Sequence, residues 1–220
     1  MLFKGIIHVH SNLSYDGQHS LDEIAAFAKK RGYSFVGMSE HSDTLDAEKV
    51  AAYVKECERV STPECLIIPG IEFTCENNLH LLGFGVKDYT DSKDPVEVAQ
   101  FIQRSGGVAV VAHPKRYQYQ IPPALVPFLN GFEVWNAGYD GRFVPNDCSL
   151  KMLQALRSAS GPLSAFGGQD FHTMKEHTHV RVSIRAEYLT ADAVLKQFRE
   201  GKFQVSNFCF CIDARSEYGP

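Results

Sequence analysis

The sequence predicts one α/β domain, most simply a small and irregular (β/α) barrel. Short apolar runs alternate with amphipathic segments of helical period along nearly the whole chain, which favours parallel strands joined by right-handed crossovers. About seven such units fit into the chain, and 220 residues suit a single domain. No internal repeat, low-complexity tract or linker interrupts the pattern. We therefore expect residues 1–220 to form one domain.

Composition and charge are those of an ordinary globular protein. Apolar residues make up 44% and charged residues 22% of the chain, and the formal net charge is −4. This mildly acidic balance does not indicate an extended nucleic-acid surface or an affinity for anionic membranes. No apolar run reaches membrane-spanning length, and no signal peptide is expected before the first strand. The six cysteines form no Cys-x-x-Cys motif, so reduced thiols and a cytoplasmic location are expected.

Five segments have the apolar spacing and the end signals of helices. The clearest begins after Ser20, which forms a capping-box pattern with Glu23, and it ends at Gly32. Asp94 followed by Pro95 is an equally typical helix start. The predicted helices cover about residues 20–32, 47–60, 94–104, 147–159 and 190–200.

The apolar runs between these helices are predicted strands. Asn77-Asn78 is predicted to be a hairpin turn, with residues 80–84 as the returning strand. The segment 117–127 contains three prolines and is expected to be irregular. The predicted strands cover residues 5–10, 33–38, 66–72, 80–84, 108–112, 131–136, 163–166, 180–184 and 203–205.

Side chains that can bind metal ions follow the ends of these strands. His8 and His10 are two apart on a strand, a spacing that points both imidazoles to one face. Comparable groups recur at or near later strand ends, namely His41, Glu72, His80, His113, Asp170 and His172. In a β/α barrel the carboxyl ends of the strands meet on one face. Imidazoles and carboxylates without thiolates suit zinc, manganese or iron, and their number favours two or three divalent ions with a bridging carboxylate.

These motifs, in this order, resemble those of the PHP (polymerase and histidinol phosphatase) family of metal-dependent phosphoesterases. The matching pieces are His8-Val9-His10, Ser14-Tyr15-Asp16-Gly17, Ser39-Glu40-His41, Gly70-Ile71-Glu72, His80-Leu81-Leu82-Gly83, Ala112-His113-Pro114 and Asp170-Phe171-His172. The resemblance implies a distorted (β/α)7 barrel of the TIM-barrel type that holds up to three metal ions. One departure is Glu40, where the family usually has aspartate, and we interpret Glu40 as support for a neighbouring imidazole.

The resemblance also implies how the ligands are divided among the ions. The first ion would be bound by His8, His10, Glu72 and Asp170. The second would be bound by His80, His113 and the bridging Glu72, and the third by Asp16, His41 and His172. Two of these residues have alternatives, because His80 could be a partly buried cross-strand histidine and Asp16 a turn carboxylate beside Gly17.

The function that the resemblance implies is hydrolysis of a phosphate ester of a small metabolite or nucleotide by a metal-activated water. Asp170, Glu72 and His172 are expected to be catalytic, with Asp170 sharing the proton of the attacking water. Nearby cations would neutralise charge on the phosphoryl oxygens. The candidates for this phosphate-binding role, which could equally be solvated loop charges, are Lys115, Arg116 and Arg142.

Two other classes of function are compatible with the same residues. A barrel metallohydrolase of C–N or carboxylic ester bonds would use a similar cluster without needing basic residues near the metals. A non-catalytic metal-binding regulatory module is disfavoured, because every predicted ligand position holds a coordinating residue.

The remaining polar and aromatic residues of interest fall into two groups. His19, His177 and His179 are expected to be free surface histidines, although the last two could line the entrance of the site. A supporting or pocket-lining role, with ordinary packing as the alternative for the aromatic pair, is expected for Glu133, Asn136, Trp135 and Tyr139.

Overall fold

The computed structural model describes residues 1–216, in which strands and helices form an α/β fold around two six-stranded sheets. The strands, in chain order, are β1 (Leu2–Val9), β2 (Phe35–Met38), β3 (Glu40–His41), β4 (Leu66–Ile68), β5 (Gly70–Thr74), β6 (His80–Phe84), β7 (Val108–Val111), β8 (Gly131–Asn136), β9 (Ser164–Gly168), β10 (Arg181–Arg185), β11 (Phe203–Ser206) and β12 (Cys211–Asp213). The helices are α1 (Leu21–Lys30), α2 (Ala47–Val60), α3 (Pro95–Arg104), α4 (Asp147–Ser160) and α5 (Ala191–Glu200).

The sheets are mixed, so the expectation of almost entirely parallel strands is wrong. The first sheet has the order β12-β11-β10-β1-β2-β4, and the second has the order β3-β5-β6-β7-β8-β9. The predicted hairpin return is confirmed, because β6 pairs antiparallel with β5, and it also pairs antiparallel with β7. β10, β11 and β12 pair antiparallel as well. A short turn such as that between β11 and β12 cannot make the long crossover that parallel neighbours need.

The two sheets are connected through residues near the ends of their strands. Ser39 alone separates β2 from β3, and Pro69 alone separates β4 from β5, so each pair is one extended segment shared between the sheets. Proline has no backbone N–H, which accounts for the break in the ladder at Pro69. Three backbone hydrogen bonds join the segment after β9 to β1: Gln169 N to Ile7 O (2.9 Å), Phe171 N to His8 O (3.1 Å) and His10 N to Phe171 O (2.9 Å).

Helix starts agree with the capping signals in the sequence. Ser20 Oγ accepts a hydrogen bond from Glu23 N, and the Glu23 carboxylate accepts one from Ser20 N. Asp94 caps α3 ahead of Pro95, because its carboxylate accepts hydrogen bonds from Val96 N and Glu97 N. On α1 the buried face includes Ile24, which is completely buried against the sheet, and such burial contributes roughly 1.5–3 kcal/mol.

The main differences from the predicted elements lie in irregular segments. The proline-containing region forms two short 3-10 turns, Pro114–Tyr117 and Val126–Phe128, and is otherwise irregular. Strand β12 and the two-residue strand β3 were not predicted, because each is too short to show a period. Among the described residues no helix is long and apolar enough to cross a membrane. All six cysteines are free thiols.

Candidate metal centre

Three residues at the strand ends have left-handed backbone conformations. The φ angle is 60° at His8, 26° at His113 and 49° at Asp170. Such angles cost roughly 1–3 kcal/mol at a residue with a side chain and concentrate at functional sites. At His8 the register of β1 against β2 shifts. In a regular strand Ile7 and Val9 would share the face opposite His8, but here they pack into two different apolar clusters. The imidazoles of His8 and His10 do lie together, with ring centres 5.2 Å apart, although regular strand alternation is not the reason.

Glu72, at the middle of β5, is the centre of a cluster of imidazoles. Its side chain is 1% exposed, and each of its oxygens faces histidine nitrogens. Around Oε2 lie His8 Nε2 at 3.5 Å, His10 Nε2 at 3.4 Å and His41 Nδ1 at 3.2 Å. Around Oε1 lie His80 Nδ1 at 2.7 Å and His113 Nε2 at 2.9 Å. One carboxylate therefore touches imidazoles from four separate parts of the chain.

Two further carboxylates extend the cluster. Asp170 Oδ1 lies 3.4 Å from His8 Nε2 and 3.7 Å from His10 Nε2. Asp16 Oδ2 lies 3.3 Å from His41 Nε2 and 3.2 Å from His172 Nε2. The structure thus brings all nine of the predicted ligand residues into one continuous cluster, including Asp16 and His80.

The donor set fits divalent metal ions. Within the described residues four groups have ligand atoms lying within 4.8 Å of one another: His8, His10 and Glu72; Glu72, His80 and His113; His8, His113 and Asp170; and His10, Asp16, His41 and His172. Five buried imidazole nitrogens have no hydrogen-bond partner, namely His8 Nε2, His10 Nε2, His41 Nδ1, His113 Nδ1 and His172 Nε2. Buried polar atoms are normally satisfied. An imidazole nitrogen that lies near carboxylates and has no hydrogen-bond partner can bind a metal ion when it carries no proton.

The side chains of Glu72 and Asp170 are ionised at neutral pH. Burial raises the pKa of Glu72, but the charge of His8 and the hydrogen bond from His113 outweigh burial, and the pKa lies well below its usual value. Burial also raises the pKa of Asp170, where His8 and His10 reverse the direction and lower it. Both side chains are therefore anionic, as metal ligands must be.

The pKa values of His8 and His10 shift in opposite directions, because burial lowers the pKa of an imidazole and nearby negative charge raises it. Burial lowers the pKa of His8, yet Glu133, Asp170 and Glu72 outweigh it and raise the pKa well above the usual value. At His10 burial dominates and lowers the pKa to about 4. A metal ion would thus compete with a proton at His8 and meet an already neutral imidazole at His10.

Glu133 supports the cluster from beneath, as the sequence suggested. Its Oε1 lies 2.8 Å from His8 Nδ1, and its Oε2 accepts hydrogen bonds from His113 N (2.9 Å) and Asn136 Nδ2 (2.8 Å). Gly168 makes room for it, because a Cβ at that position would overlap Glu133 Oε1. An acceptor on Nδ1 of His8 fixes the tautomer that leaves Nε2 free to bind metal.

Glu40 reaches the cluster through a serine. It is buried, and it accepts hydrogen bonds from Ser11 N (3.0 Å) and from Ser14 Oγ (2.6 Å). Ser14 Oγ in turn accepts a hydrogen bond from His41 N (3.0 Å) and lies 3.4 Å from His10 Nδ1. The role of Ser14 was not predicted, since its place between two ligands depends on the fold.

The three candidate cations occupy different environments. Arg116 Nη1 lies 3.3 Å from His80 Nδ1, which places the guanidinium at the edge of the cluster. Arg142 lines a cavity of about 430 Å³ together with Asp170 and His172. Lys115 instead donates to the backbone oxygen of Tyr139 (2.8 Å). Two of the three therefore border the ligand cluster, and Lys115 holds a loop.

The aromatic residues near the site differ in whether they contact the cluster. Tyr139 packs against His113, with ring centres 4.8 Å apart, so it does wall the site. Tyr15 was not singled out, and its exposed ring stacks on His41 at 4.7 Å. Trp135 is fully buried in the core and donates from Nε1 to Gly141 O, so ordinary packing is the correct account of this residue.

The other three histidines lie outside the cluster. His19 Nε2 accepts a hydrogen bond from Met174 N (3.1 Å), and His177 Nε2 lies 2.9 Å from Tyr33 Oη. Both side chains are partly buried, so the expectation of free surface histidines is wrong for them. His179 is exposed, as expected.

Comparisons with known proteins identify structures that share this fold. In solved structures the fold is similar to PsfC from Pseudomonas syringae PB-5123, with a TM-score of 0.64, 16% identity and 88% of each chain covered. It is also similar to a proposed metal-dependent phosphoesterase from Bifidobacterium adolescentis, with a TM-score of 0.59, 17% identity and coverage of 88% of this chain and 94% of that one. An amidohydrolase from Chromobacterium violaceum matches with a TM-score of 0.57, 15% identity and coverage of 90% and 96%.

At these identities the structural matches establish the fold alone. No curated protein sequence matches the chain significantly. The sequence model of the PHP domain matches residues 7–121, which is more than half of the chain and contains seven of the nine clustered ligand residues. The chain therefore belongs to the PHP domain family.

Proposed function

We propose that this protein is a metal-dependent phosphoesterase that hydrolyses a phosphate ester of a small metabolite or nucleotide. The observation that carries the proposal is the set of nine imidazole and carboxylate side chains around Glu72, with unpartnered buried nitrogens and with Arg116 at its edge. Such a set suits two or three ions of zinc, manganese or iron.

The ligand distances support a division among three ions. Glu72 would bridge, because one oxygen faces His8 and His10 while the other faces His80 and His113. Asp170 would complete the first ion, since it contacts both His8 and His10. The third ion would be bound by Asp16, His41 and His172.

A distorted (β/α)7 barrel is the simplest arrangement for this site. We propose that its seven strands are β1, β2 with β3, β4 with β5, β6, β7, β8 and β9. The hydrogen bonds from Gln169 and Phe171 to β1 support closure between the last of these strands and the first. Such a closure would place the cluster at the carboxyl ends of the barrel strands, where these folds hold their sites.

The chain supplies the groups that the reaction needs beside the metals. When bound, the ions would act as Lewis acids that lower the pKa of water and neutralise phosphoryl oxygens. Asp170 is ionised and lies beside the cavity, so it can accept the proton of the attacking water. Glu72 and His172 hold the neighbouring imidazoles and the Asp16 carboxylate in place.

Arg116 and Arg142 are the phosphate-binding residues that the geometry favours. A guanidinium keeps its charge at all relevant pH values and binds phosphate oxygens through two donors. Arg116 borders the Glu72–His80 side of the cluster, and Arg142 borders the Asp170–His172 side. Lys115 would act indirectly, through its bond to the Tyr139 backbone.

A second candidate is hydrolysis of a C–N or carboxylic ester bond. The similar fold of the amidohydrolase from Chromobacterium violaceum favours keeping it. Two arginines beside the cluster favour a phosphate instead, because a neutral amide substrate needs no such cations. A non-catalytic metal-binding module is disfavoured, since no clustered position lacks a coordinating side chain.

The proposed partner is a small soluble molecule. A cavity of about 430 Å³ suits a small organic phosphate. The net charge of −4 disfavours an extended nucleic-acid surface. A cytoplasmic location is likewise proposed, and six free thiols support it.

The test is turnover by the purified protein loaded with Mn²⁺ or Zn²⁺. The panel contains phosphomonoesters, phosphodiesters, a carboxylic ester and an amide. We expect release of product from one class of phosphate ester, and its loss when the metal is removed with a chelator. Turnover of the carboxylic ester or amide alone would replace the proposal with the second candidate. Tight metal binding without any turnover would favour the regulatory module.

A further inference from the structure

Four exposed apolar side chains lie on two neighbouring loops. We call Phe143, Val144, Phe208 and Phe210 the apolar lip. Phe143 is 71% exposed and Phe208 is 72% exposed, whereas phenylalanine is usually among the more buried residue types. Exposed apolar patches of this kind commonly mark a binding surface.

The two loops that form the apolar lip are joined by hydrogen bonds. Asn207 Nδ2 donates to the backbone oxygens of Arg142 (3.0 Å) and Phe143 (2.9 Å). The oxygen of the same side chain accepts hydrogen bonds from Cys209 N (2.7 Å) and Phe210 N (2.9 Å). Because Asn207 is buried, it fixes the position of both loops, and the apolar lip is organised before any ligand arrives.

The two loops of the apolar lip adjoin the cavity beside the metal centre through neighbouring residues. Arg142, which directly precedes Phe143, lines that cavity with Asp170 and His172. On the other loop, the ring of Phe208 lies 4.0 Å from the ring of His179, and the neighbouring Thr178 lines the same cavity. A substituent that extends from the cavity towards these two loops would therefore meet the apolar lip.

We propose that the apolar lip binds a hydrocarbon group of the substrate, so that the substrate is a phosphate ester with an apolar alkyl or aryl substituent. This inference rests on the proposed phosphoesterase function. The phosphate would face the cluster and Arg142, while the hydrocarbon would cover Phe143 and Phe208. Covering apolar surface from both partners favours binding, whereas a polar substituent such as a sugar would gain nothing from these side chains.

The first experiment measures binding without chemistry. Ethylphosphonate, hexylphosphonate and benzylphosphonate are titrated calorimetrically into the protein loaded with Mn²⁺. We expect the Kd of hexylphosphonate or benzylphosphonate to be at least about tenfold lower than that of ethylphosphonate, because several more carbons leave water. A larger decrease in Kd for hexylphosphonate indicates an alkyl substituent, and a larger decrease for benzylphosphonate indicates an aryl substituent. Equal Kd values for all three, or no binding of any, would overturn the inference.

Two variants locate the effect on the apolar lip. Phe143→Ser and Phe208→Ser remove exposed rings, and we expect each to reduce the ratio of the ethylphosphonate Kd to the Kd of the longer ligand by about threefold or more. Tyr188→Ser is the matched control, since Tyr188 is 68% exposed and belongs to neither loop of the apolar lip. A ratio that stays unchanged in both phenylalanine variants would contradict the inference.

Other occupants of the apolar lip would give different results. If Phe208→Ser left the Kd ratio unchanged but converted a dimer to a monomer in sedimentation, the surface would bind a second copy of the chain. If it left the ratio unchanged but abolished binding to phosphatidylcholine vesicles, the surface would bind a membrane. Either result would show that the inference is wrong. Failure of the inference is separable from failure of the proposed function. Turnover of ethyl and hexyl phosphate esters at equal kcat/KM would contradict only the apolar substituent.

Discussion

The nine histidines of this protein lie in two regions that differ in what faces their ring nitrogens. In the first region the imidazoles surround carboxylates, and all but His80 have a buried nitrogen without a hydrogen-bond partner; its members are His8, His10, His41, His80, His113 and His172. In the second region, the ring nitrogens of His19 and His177 meet a backbone amide and a tyrosine hydroxyl. His179 packs its ring on Phe208.

The difference shows why burial alone does not identify a ligand. His177 is half-buried, yet its nitrogen is satisfied by Tyr33 and needs no ion. His10 is fully buried beside Glu72 and Asp170, and its Nε2 has no partner. A buried nitrogen without a hydrogen-bond partner, together with an adjacent carboxylate, distinguishes the candidate metal centre from an ordinary group of histidines.

The largest expected effect comes from Asp170→Ala. In the proposed mechanism this carboxylate both binds a metal ion and accepts the water proton, so we expect its removal to lower kcat/KM for the ester by about 10³-fold or more. Asp170→Asn is the control for the backbone, because asparagine tolerates the φ of 49° better than alanine does. Near-normal turnover by either folded variant, checked by circular dichroism, would break the assignment of Asp170.

Glu72→Gln should separate the two histidine regions by their response to metal. We expect added Mn²⁺ or Zn²⁺ to raise the Tm of the wild-type protein, since an ion that binds the folded state stabilises it. This shift should be mostly lost in Glu72→Gln, because the carboxylate contacts five imidazoles. His177→Asn serves as the comparison and should retain the full shift. Equal shifts in all three proteins would place the metal elsewhere.

Glu133→Gln tests the support beneath the cluster. The change keeps the size of the side chain but alters the acceptor on His8 Nδ1, and we expect metal affinity to fall by about 10- to 100-fold. Competition with a fluorescent chelator measures that affinity. An unchanged affinity would mean that Glu133 serves only to satisfy the His113 N–H and the Asn136 amide.

Ser14→Ala should have a smaller effect. It removes the hydroxyl between Glu40 and His10, and a buried carboxylate that loses one donor costs about 1–3 kcal/mol of unfolding free energy. Urea denaturation measures this loss, and metal affinity should change only a few-fold. Ser14→Thr retains a hydroxyl and is the matched control; if it were as unstable as the alanine variant, crowding rather than the hydrogen bond would be responsible.

The smallest expected effect is a change in the pH dependence of stability when His177, in the second region, is replaced. Burial, together with the positive charges of Arg31 and His179, lowers the pKa of His177 from 6.5 to about 4. The folded state therefore favours neutral His177, so its contribution is present above pH 6.5 and is lost as the pH falls towards 4. In His177→Asn we expect unfolding free energy to decline less over this range than in the wild type. Parallel curves for the two proteins would show that His177 titrates normally.

Much of the fold was predictable because its signals are local. The capping box at Ser20, the Asp94-Pro95 start and the 80–84 return strand are confirmed, and each depends on residues close in sequence. The parallel arrangement was overestimated, because the pairing of β10 with β1 joins distant segments and leaves no local pattern.

The site was predictable for a different reason. Most of its candidate ligands lie at or near strand ends, and the fold gathers those ends, so sequence position predicted the residues that the structure brings together. Glu72 is an exception, because its strand continues to Thr74 instead of ending at the carboxylate. The contacts that support these residues were harder to predict from the sequence. The link from Glu40 through Ser14, the stacking of Tyr15 on His41 and the left-handed angle at His8 depend on distances and backbone geometry that a linear pattern does not encode.

The most direct test of the central claim is a crystal structure of the protein soaked with Mn²⁺ or Zn²⁺, in which anomalous scattering locates the ions. We predict at least two anomalous peaks, with Glu72 within about 2.0–2.3 Å of both and His8, His10, His80 and His113 divided between them. Anomalous peaks only near His177 and His179, or none within bonding distance of Glu72, would contradict the account.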